Sequence, residues 1–157
     1  MMDTKPLSNC PVFSGLSDDE LKKISSNCRE EVFKNEDIIQ EDSTASADLY
    51  VLLEGRVSVE FELWPSDSDQ QDRAQLVRLR PGDIFGEVAF LKGKRRIATV
   101  KAIDETRVLQ IDGKRLNEIF EKSPHIGYTV MRQIALILAQ RVENVSLMWR
   151  DAVRRGS

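Results

Sequence analysis

Residues 85–100 read FGEVAFLKGKRRIATV, and they carry the most information in this 157-residue sequence. Gly86 opens a short helix-prone run that ends near Leu91, and the free backbone N–H groups at a helix start bind anions well. Arg96 can fold back over the same spot, where a guanidinium gives a two-pronged grip on a phosphate. Glu87 can accept a hydrogen bond from a sugar hydroxyl. These residues suit a nucleotide with a single negative charge, and a structural salt bridge between Glu87 and Arg96 is the alternative.

Strand patterns precede this stretch. Residues 49–53 form an apolar run typical of a buried strand, and a tight turn at Glu54-Gly55 follows. Residues 57–63 alternate apolar and polar side chains, which predicts a strand with one buried face. The alternation resumes over residues 75–79, and Arg80-Pro81-Gly82-Asp83 then suits a type II turn.

Two further strands are predicted at residues 98–103 and 107–111, and the polar residues 65–73 are expected to form a long hairpin loop. Many short strands separated by turns leave little room for crossover helices, so we expect an antiparallel roll or sandwich. The predicted fold class is mainly β with flanking helices.

The N-terminal part contains one clear helix signal. Ser17 stands three residues before Glu20, a capping-box spacing that predicts a short helix over residues 17–27. Residues 1–15 contain two prolines and a glycine, which are breakers, and we expect this segment to be irregular.

The last third of the chain predicts two helices. Asp112 can cap the first, which runs to about residue 122, and the second begins at Ser123-Pro124 and continues for some thirty residues. Heptad spacing of apolar side chains in the second helix indicates a coiled-coil seam against a second copy of the chain. The seam residues are Met131, Leu138, Val145 and Ala152, flanked by Ile134, Ala135, Val142 and Trp149. A helix that lies deeper in its own core is the alternative.

Composition excludes several classes of protein. The chain has 23 Lys and Arg against 26 Asp and Glu, and this net charge of −3 argues against a nucleic-acid partner. One histidine and two cysteines give no cluster for a metal site. The longest apolar run is far shorter than the roughly 20 residues that span a membrane, and no secretory signal precedes Pro6. We therefore expect a cytoplasmic protein with no membrane partner and no cofactor.

Residues 85–100 closely resemble the phosphate-binding cassette of the cyclic nucleotide-binding domain family, of the catabolite activator protein and protein kinase A regulatory-subunit type. The family pattern is Phe-Gly-Glu, an apolar–Ala–apolar trio, a variable loop and Arg-x-Ala-Thr-Val. The matching residues are Phe85-Gly86-Glu87, Val88-Ala89-Phe90 and Arg96-Ile97-Ala98-Thr99-Val100. The resemblance covers residues 12–155 and implies an eight-stranded jelly-roll-like β-roll with a short N-terminal helix and two C-terminal helices, the last one long.

The same resemblance implies one domain over residues 1–157. A helix and the β-roll would occupy residues 12–112, and the C-terminal helices would occupy residues 113–155. The last helix would then be the dimerisation helix.

Family roles carry over position by position. Glu87 matches the carboxylate that holds the ribose 2′-hydroxyl, with the Gly86 backbone beside it, and Arg96 matches the phosphate arginine. The backbone N–H groups of Ala89 and Ile97 match those that reach the exocyclic phosphate oxygens. The expected ligand-binding site also includes Val88 and Ala98 of the cassette, the apolar neighbours Val77, Leu79 and Phe85, and Asn144, or alternatively Ser146, on the long helix.

Two departures from the family pattern bear on the ligand. Members that favour cyclic GMP commonly place Thr after the arginine, whereas this chain has Ile97, so cyclic AMP is the expected ligand and cyclic GMP is less favoured. Arg95 stands where the family often has Pro, and we expect a looser loop there.

Three functions compete at this point. The first is a stand-alone sensor or regulatory subunit that is not an enzyme and signals through its C-terminal helix to an unknown effector protein. The second is a dimerisation module with a ligand-free pocket, against which the intact Glu87 and Arg96 count. The third is a small β-roll enzyme of the cupin sort, which usually needs several histidines where this chain has only His125. With two residues after Arg155 there is no room for a DNA-recognition helix, and the chain can also be one domain of a longer protein.

Overall fold

Two antiparallel sheets form the centre of the computed structural model, which describes residues 4–40, 46–62, 73–93 and 98–156. The eight strands of these ranges are β1 (Cys28–Phe33), β2 (Ile38–Gln40), β3 (Leu49–Glu54), β4 (Val57–Glu62), β5 (Arg73–Leu79), β6 (Ile84–Phe85), β7 (Thr99–Ala102) and β8 (Thr106–Ile111). One sheet has the order β1-β8-β3-β6 and the other the order β2-β7-β4-β5. The predicted eight-stranded, mainly β fold is confirmed, whereas residues 65–72 of the predicted hairpin loop lie outside the described residues.

Helices lie at both ends of the chain, and one short helix lies between β6 and β7 in chain order. They are α1 (Lys5–Ser8), a 3₁₀ helix (Pro11–Phe13), α2 (Asp18–Ser25), α3 (Glu87–Lys92), α4 (Gly113–Lys122) and α5 (Pro124–Arg155). The capping box of α2 is present, because Ser17 N–H donates to Glu20 Oε1 at 3.0 Å and Glu20 N–H donates to Ser17 Oγ at 3.3 Å. The two predicted C-terminal helices are also present.

The expectation of an irregular segment over residues 1–15 is wrong for residues 5–8 and 11–13, which are helical, while residues 1–3 lie outside the described residues. Pro6 and Pro11 each lie in the first turn of a short helix. Proline is favoured there because its missing N–H has no partner in a first turn and its fixed φ suits a helix. The two prolines therefore begin helical turns, although the sequence pattern treats them as breakers.

Strand β3 has apolar side chains on both faces because it lies between two layers of core. Tyr50 and Leu52 pack between the two sheets with residues of β4, β5, β6 and β7. Leu49 and Val51 point the other way and pack against the helical layer, which includes Ile126 of α5. This double burial explains the continuous apolar run at residues 49–53, which lacks the alternation of a strand with one wet face.

A tight turn directs the chain from β5 into β6 and so to the cassette. Asp83 N–H donates to the Arg80 carbonyl at 3.0 Å, and Gly82 has a φ of 96°. A positive φ at the third position is what a type II turn requires, so the predicted turn is confirmed.

Helix α5 has two halves in different surroundings. Its buried residues are Ile126, Gly127, Val130 and Ile134, and Ile137 and Leu138 pack partly against the same core. Every residue from 142 to 156 is exposed. The alternative of a helix that lies deeper in its own core is therefore wrong for the distal half, but it holds for Ile134, which was expected to flank the seam and is buried in the domain. Among the described helices, none is both long and apolar enough to cross a membrane.

Candidate functional site

The cassette begins where β6 turns into α3. Gly86 is the residue between them and has φ 78° and ψ 6°, a left-handed conformation that glycine adopts without steric cost. Phe85, just before it, stacks on Tyr50 with the ring centroids 4.9 Å apart, which anchors the end of the strand. This stacking holds the residue that leads into the turn, and the turn then places Glu87 at the first position of α3.

Glu87 is held by a residue from the far end of the chain. Arg141 Nη1 donates to Glu87 Oε1 at 2.9 Å, and Arg141 Nη2 donates to the carbonyl oxygen of Ile84 at 2.6 Å. The Glu87 side chain is only 14% exposed and that of Arg141 29% exposed. A carboxylate has about four lone-pair sites on its two oxygens, so one bond from Arg141 leaves Glu87 able to accept further hydrogen bonds.

The first turn of α3 offers backbone donors beside this carboxylate. Phe90 N–H donates to the Gly86 carbonyl in the first hydrogen bond of the helix. The N–H groups of Glu87, Val88 and Ala89 precede that bond, so helix geometry gives them no partner within α3. The predicted role of the Ala89 N–H as a phosphate donor is compatible with this arrangement.

The apolar residues predicted to line the site are mostly buried. Phe85 and Leu79 belong to the core between the two sheets, while Ala89 and Ala98 are also buried and Val88 is half-buried. Their predicted contacts with a ligand stay predictions.

Three predicted site residues lie wholly or partly outside the described residues. Arg96 and Ile97 fall within the undescribed segment 94–97. Val77 lies on β5, opposite Val59 of β4, but its side chain is outside the described part of the chain. The predicted roles of these three residues stay predictions.

Asn144 is exposed on the distal half of α5, about one turn beyond Arg141. Its Oδ1 accepts a hydrogen bond from Gln140 Nε2 at 3.2 Å. Its predicted contact with a nucleotide base stays a prediction.

Arg141 is a residue of the candidate site that the sequence analysis missed. It follows Ile134, Ile137 and Leu138 at helical spacing, so it lies on the face of α5 that packs against the core. A cation on a buried face needs a partner, because an unpaired buried charge is costly. That pattern was available in the sequence and could have identified Arg141, although not its partner Glu87.

An enzyme active site would need an activated thiol, a catalytic histidine or a metal-binding cluster. Burial raises the pKa of the Cys10 thiol to about 11 and that of Cys28 to about 12, so neither is an activated thiolate. His125 Nδ1 lies 2.7 Å from Glu20 Oε2 at the start of α5, far along the chain from the cassette. Within the described ranges, no cluster of three His, Cys, Asp or Glu side chains could hold a metal ion.

Comparison with known proteins identifies the matched region. A family model described as a cyclic nucleotide-binding domain matches residues 29–123, which include the whole cassette. The cAMP-dependent protein kinase regulatory subunit of Dictyostelium discoideum is 31% identical over 87 residues, which cover 55% of this chain and 26% of that protein. The chain spans 28% or less of the length of the first curated relatives that it matches.

Solved structures show the same fold. A crystal structure of a protein from Geobacter metallireducens superposes with a TM-score of 0.75 at 25% identity, covering 90% of this chain and 99% of that one. The regulatory subunit of a cAMP-independent protein kinase A from Trypanosoma cruzi, bound to guanosine, superposes with a TM-score of 0.66 at 22% identity. That match covers 75% of this chain and 40% of the other.

Proposed function

The chain belongs to the cyclic nucleotide-binding domain family, and on that premise we propose that it is a sensor that binds cyclic AMP at the cassette of residues 85–100. The observation that carries this proposal is the placement of Glu87. A left-handed glycine turn and the Arg141 guanidinium hold its carboxylate at a half-buried helix start, beside backbone N–H groups that have no partner within α3. This is the arrangement that recognition of a ribose hydroxyl next to a phosphate requires.

Glu87 would accept the ribose 2′-hydroxyl, with the Gly86 backbone beside it. Arg96 would supply the charge-assisted hydrogen bonds to the cyclic phosphate, and the N–H groups of Ala89 and Ile97 would reach its exocyclic oxygens. A guanidinium suits this role because its fork of donors matches the geometry of two phosphate oxygens.

Cyclic AMP is preferred to cyclic GMP in this proposal because Ile97 offers no hydroxyl to a guanine. The Dictyostelium relative is named for its dependence on cAMP, which agrees with this preference. The Trypanosoma cruzi protein, with the same fold, is bound to guanosine. The fold therefore accommodates either purine, and the preference rests on individual side chains, which include Ile97 and Asn144.

The output of the sensor would pass through α5 to an effector protein. Residues 142–155 project from the domain as an exposed helix, with Val145 63% exposed and Trp149 72% exposed. Seven side chains alternate in steps of four and three along one stripe of α5, the spacing of a coiled-coil seam. These residues are Met131, Ala135, Leu138, Val142, Val145, Trp149 and Ala152. We take a second copy of the chain as the partner of this stripe.

In this proposal the protein is regulatory and has no catalytic activity of its own. It works in the cytoplasm without a cofactor, a membrane partner or a nucleic-acid partner. The hydrogen bond from Arg141 to Glu87 also favours a second candidate, an interaction module whose pocket binds no nucleotide. In that case the bond between Arg141 and Glu87 is a structural ion pair between α5 and the cassette.

Calorimetric titration with cyclic AMP and, separately, cyclic GMP distinguishes the two candidates. We expect cyclic AMP to bind with a micromolar or lower dissociation constant and cyclic GMP to bind more weakly. Adenosine 5′-monophosphate, which lacks the cyclic phosphate, is the matched control ligand. Heat changes no larger than those of the control for both cyclic nucleotides would favour the interaction module.

A further inference from the structure

A cavity apart from the cassette lies between the N-terminal helices and one end of the sheet that contains β3 and β8. Its volume is about 390 Å³, and cavities that hold small molecules begin at about 300 Å³. Four parts of the chain line it: α1 with the residues just after it, the end of β3, the turn before β6, and Arg107 of β8. None of the described residues that line it belongs to the cassette or to α5, so the cavity is a site of its own.

Hydrogen bonds hold both walls of this cavity in place. On the helical side, the Cys10 thiol donates to the Pro6 carbonyl at 2.9 Å. On the sheet side, Gly82 N–H donates to the Leu52 carbonyl at 2.8 Å, and Leu52 N–H donates to the Asp83 carbonyl at 2.9 Å. Fixed walls lower the cost of binding, because little of the protein has to be ordered around a ligand.

A β-bulge in β3 shapes the sheet side of the cavity. The register with β8 shifts between Leu52 and Glu54, so Leu53 is an extra residue in the strand. A bulge bends its strand and re-aims a side chain, and bulges are common beside functional sites. Leu53 lines the cavity together with Pro6 and Pro81, and these residues make that part of the cavity apolar.

Arg107 brings hydrogen-bond donors to the cavity. Its Nη2 donates to Glu54 Oε1 at 2.7 Å, while its Nη1 is 3.9 Å from Glu30 Oε2, which is too far for a hydrogen bond. Its Nε is buried and has no hydrogen-bond partner among the described residues. A guanidinium has five N–H donors, and a buried donor without an acceptor is costly. An acceptor group in the cavity would therefore give Arg107 hydrogen bonds that the described residues do not provide.

The charges around the cavity favour a ligand with a single negative charge. Lys5 and Arg107 line it, and the described lining includes no carboxylate. Glu30 and Glu54 lie beside Arg107 and offset part of this positive charge, so a second negative charge on a ligand would be repelled by them. The Glu54 side chain is 68% exposed, and a surface ion pair of this kind contributes little, so it competes only weakly with a ligand.

We propose that this cavity binds a small organic acid with one carboxylate and an apolar body. The carboxylate would accept hydrogen bonds from Arg107, whose planar fork of donors matches two carboxylate oxygens. The apolar body would lie against Leu53 and Pro81. Val32 extends this apolar surface, because it lies opposite Arg107 on the neighbouring strand β1 and is 63% exposed. The inference goes beyond the proposed function and does not depend on nucleotide binding.

A titration of the full chain with octanoate, followed by two-dimensional ¹H–¹⁵N NMR, tests the proposal. Two control ligands separate the contributions of charge and apolar chain. The first, 1-octanol, keeps the chain without the charge, and acetate keeps the carboxylate without the chain. The titration is repeated with cyclic AMP present, which detects competition for the cassette.

Two variants locate the site. Arg107→Gln removes the guanidinium, and Asn9→Trp puts a large side chain at an exposed position that lines the cavity. Arg56→Gln is the matched control, because Arg56 also makes a surface ion pair at 2.7 Å, with Asp104, but does not line the cavity. The dispersion of the NMR signals verifies that each variant is folded.

We expect octanoate to bind with a Kd of about 1 mM or lower, an ordinary affinity for a ligand of about ten non-hydrogen atoms. The amide signals of Asn9, Leu53 and Gly82 should shift, and cyclic AMP should not compete. Arg107→Gln should raise the Kd by about tenfold or more, the value of a hydrogen bond to a charged group. Asn9→Trp should also raise it, whereas Arg56→Gln should leave it unchanged. Both control ligands should bind at least about tenfold more weakly than octanoate.

Four results would overturn the inference. Equal affinity for octanoate and 1-octanol would leave no role for the carboxylate. A Kd that Arg107→Gln and Asn9→Trp both leave unchanged would place octanoate elsewhere on the protein, and displacement of octanoate by cyclic AMP would place it in the cassette. No binding of octanoate up to about 10 mM would exclude the acid site. Octanoate binding as expected in a protein that does not bind cyclic AMP would support this inference and contradict only the proposed function.

Discussion

The two halves of helix α5 share one continuous backbone but lie in different environments. Before Arg141, the helix buries Ile126, Val130 and Ile134 against the sheet and the N-terminal helices. After Arg141, residues 142–156 are all exposed, including large apolar side chains such as Trp149. The proximal half therefore belongs to the core of the domain, and the distal half, which lies outside that core, is the part of the helix that we propose contacts a partner.

Polar contacts mark both ends of the proximal half. His125 lies against Glu20 of α2 at its start, and Arg141 bonds to the cassette at its end. The backbone of α5 is helical without a break between these two contacts. In the proposed function, this contact at Arg141 is the point at which a ligand at the cassette would affect the exposed half of the helix.

The largest expected effect is a loss of unfolding free energy when a side chain in the proximal half is shortened. Ile134→Ala should lower the free energy of unfolding by about 2–5 kcal/mol, because it opens a cavity in a fully buried site. Val145→Ala, on the exposed distal half, should change it by about 0.5 kcal/mol or less at a protein concentration low enough for monomers. Urea unfolding of both variants measures the difference. Equal losses of unfolding free energy in the two variants would show that both halves of α5 contribute equally to the stability of the domain, which would contradict this comparison.

Arg96→Gln should remove the ligand while leaving both halves of α5 intact. Loss of charge-assisted hydrogen bonds to the phosphate should weaken cyclic AMP binding by several kcal/mol, or about 100-fold or more. The urea midpoint should match that of the parent, since the change keeps a polar side chain. Titration calorimetry gives the affinity. An unchanged affinity would mean that the phosphate is bound elsewhere and that the cassette assignment is wrong.

Introducing charge into the exposed stripe should separate a dimer without unfolding the domain. Val145→Glu places a carboxylate in the proposed seam, where it would be buried against the second copy at considerable cost. Leu147→Glu is the matched control, because Leu147 is 56% exposed and lies about 200° around the helix from Val145. Sedimentation equilibrium should give the monomer mass for Val145→Glu and the dimer mass for Leu147→Glu. The same mass for both variants would exclude the seam.

The smallest effect concerns the start of the proximal half. The hydrogen bond from Ser17 N–H, together with His125, lowers the pKa of Glu20. A lowered folded-state pKa stabilises the protein above the unfolded pKa of about 4.3, and this contribution is lost as the pH falls through the folded-state pKa. Glu20→Gln should therefore make the loss of stability below about pH 4 slightly shallower. Urea unfolding at several pH values between 3 and 6 measures this, and parallel curves for the two proteins would contradict it.

Local patterns in the sequence predicted most of the strands and the larger helices. Alternation over residues 57–63 gave β4, the capping box at Ser17 gave α2, and the turn at Gly82 has the conformation expected of it. Each of these features depends on neighbours within a few residues, so the sequence contains the necessary information. The cassette could be recognised for a different reason, since its spacing matches a family pattern.

Contacts between distant segments could not be predicted in the same way. Arg141 and Glu87 are 54 residues apart, and no periodicity connects an arginine in a helix to a glutamate after a strand. The helical turns at Pro6 and Pro11 were missed because proline has two opposite effects on helices. It disrupts a helix when it lies in the interior, but it is favoured in the first turn. Which of these applies depends on the packing of the segment against the core.

The central claim is that nucleotide bound at the cassette is sensed by α5 from Arg141 onward. Hydrogen exchange of the backbone amides, with and without saturating cyclic AMP, tests it most directly. We expect the ligand to slow exchange in α3 and to alter exchange over residues 138–148, while residues 126–134 in the core stay as they were. Binding of cyclic AMP with altered exchange in α3 alone, and none in α5, would contradict the claim.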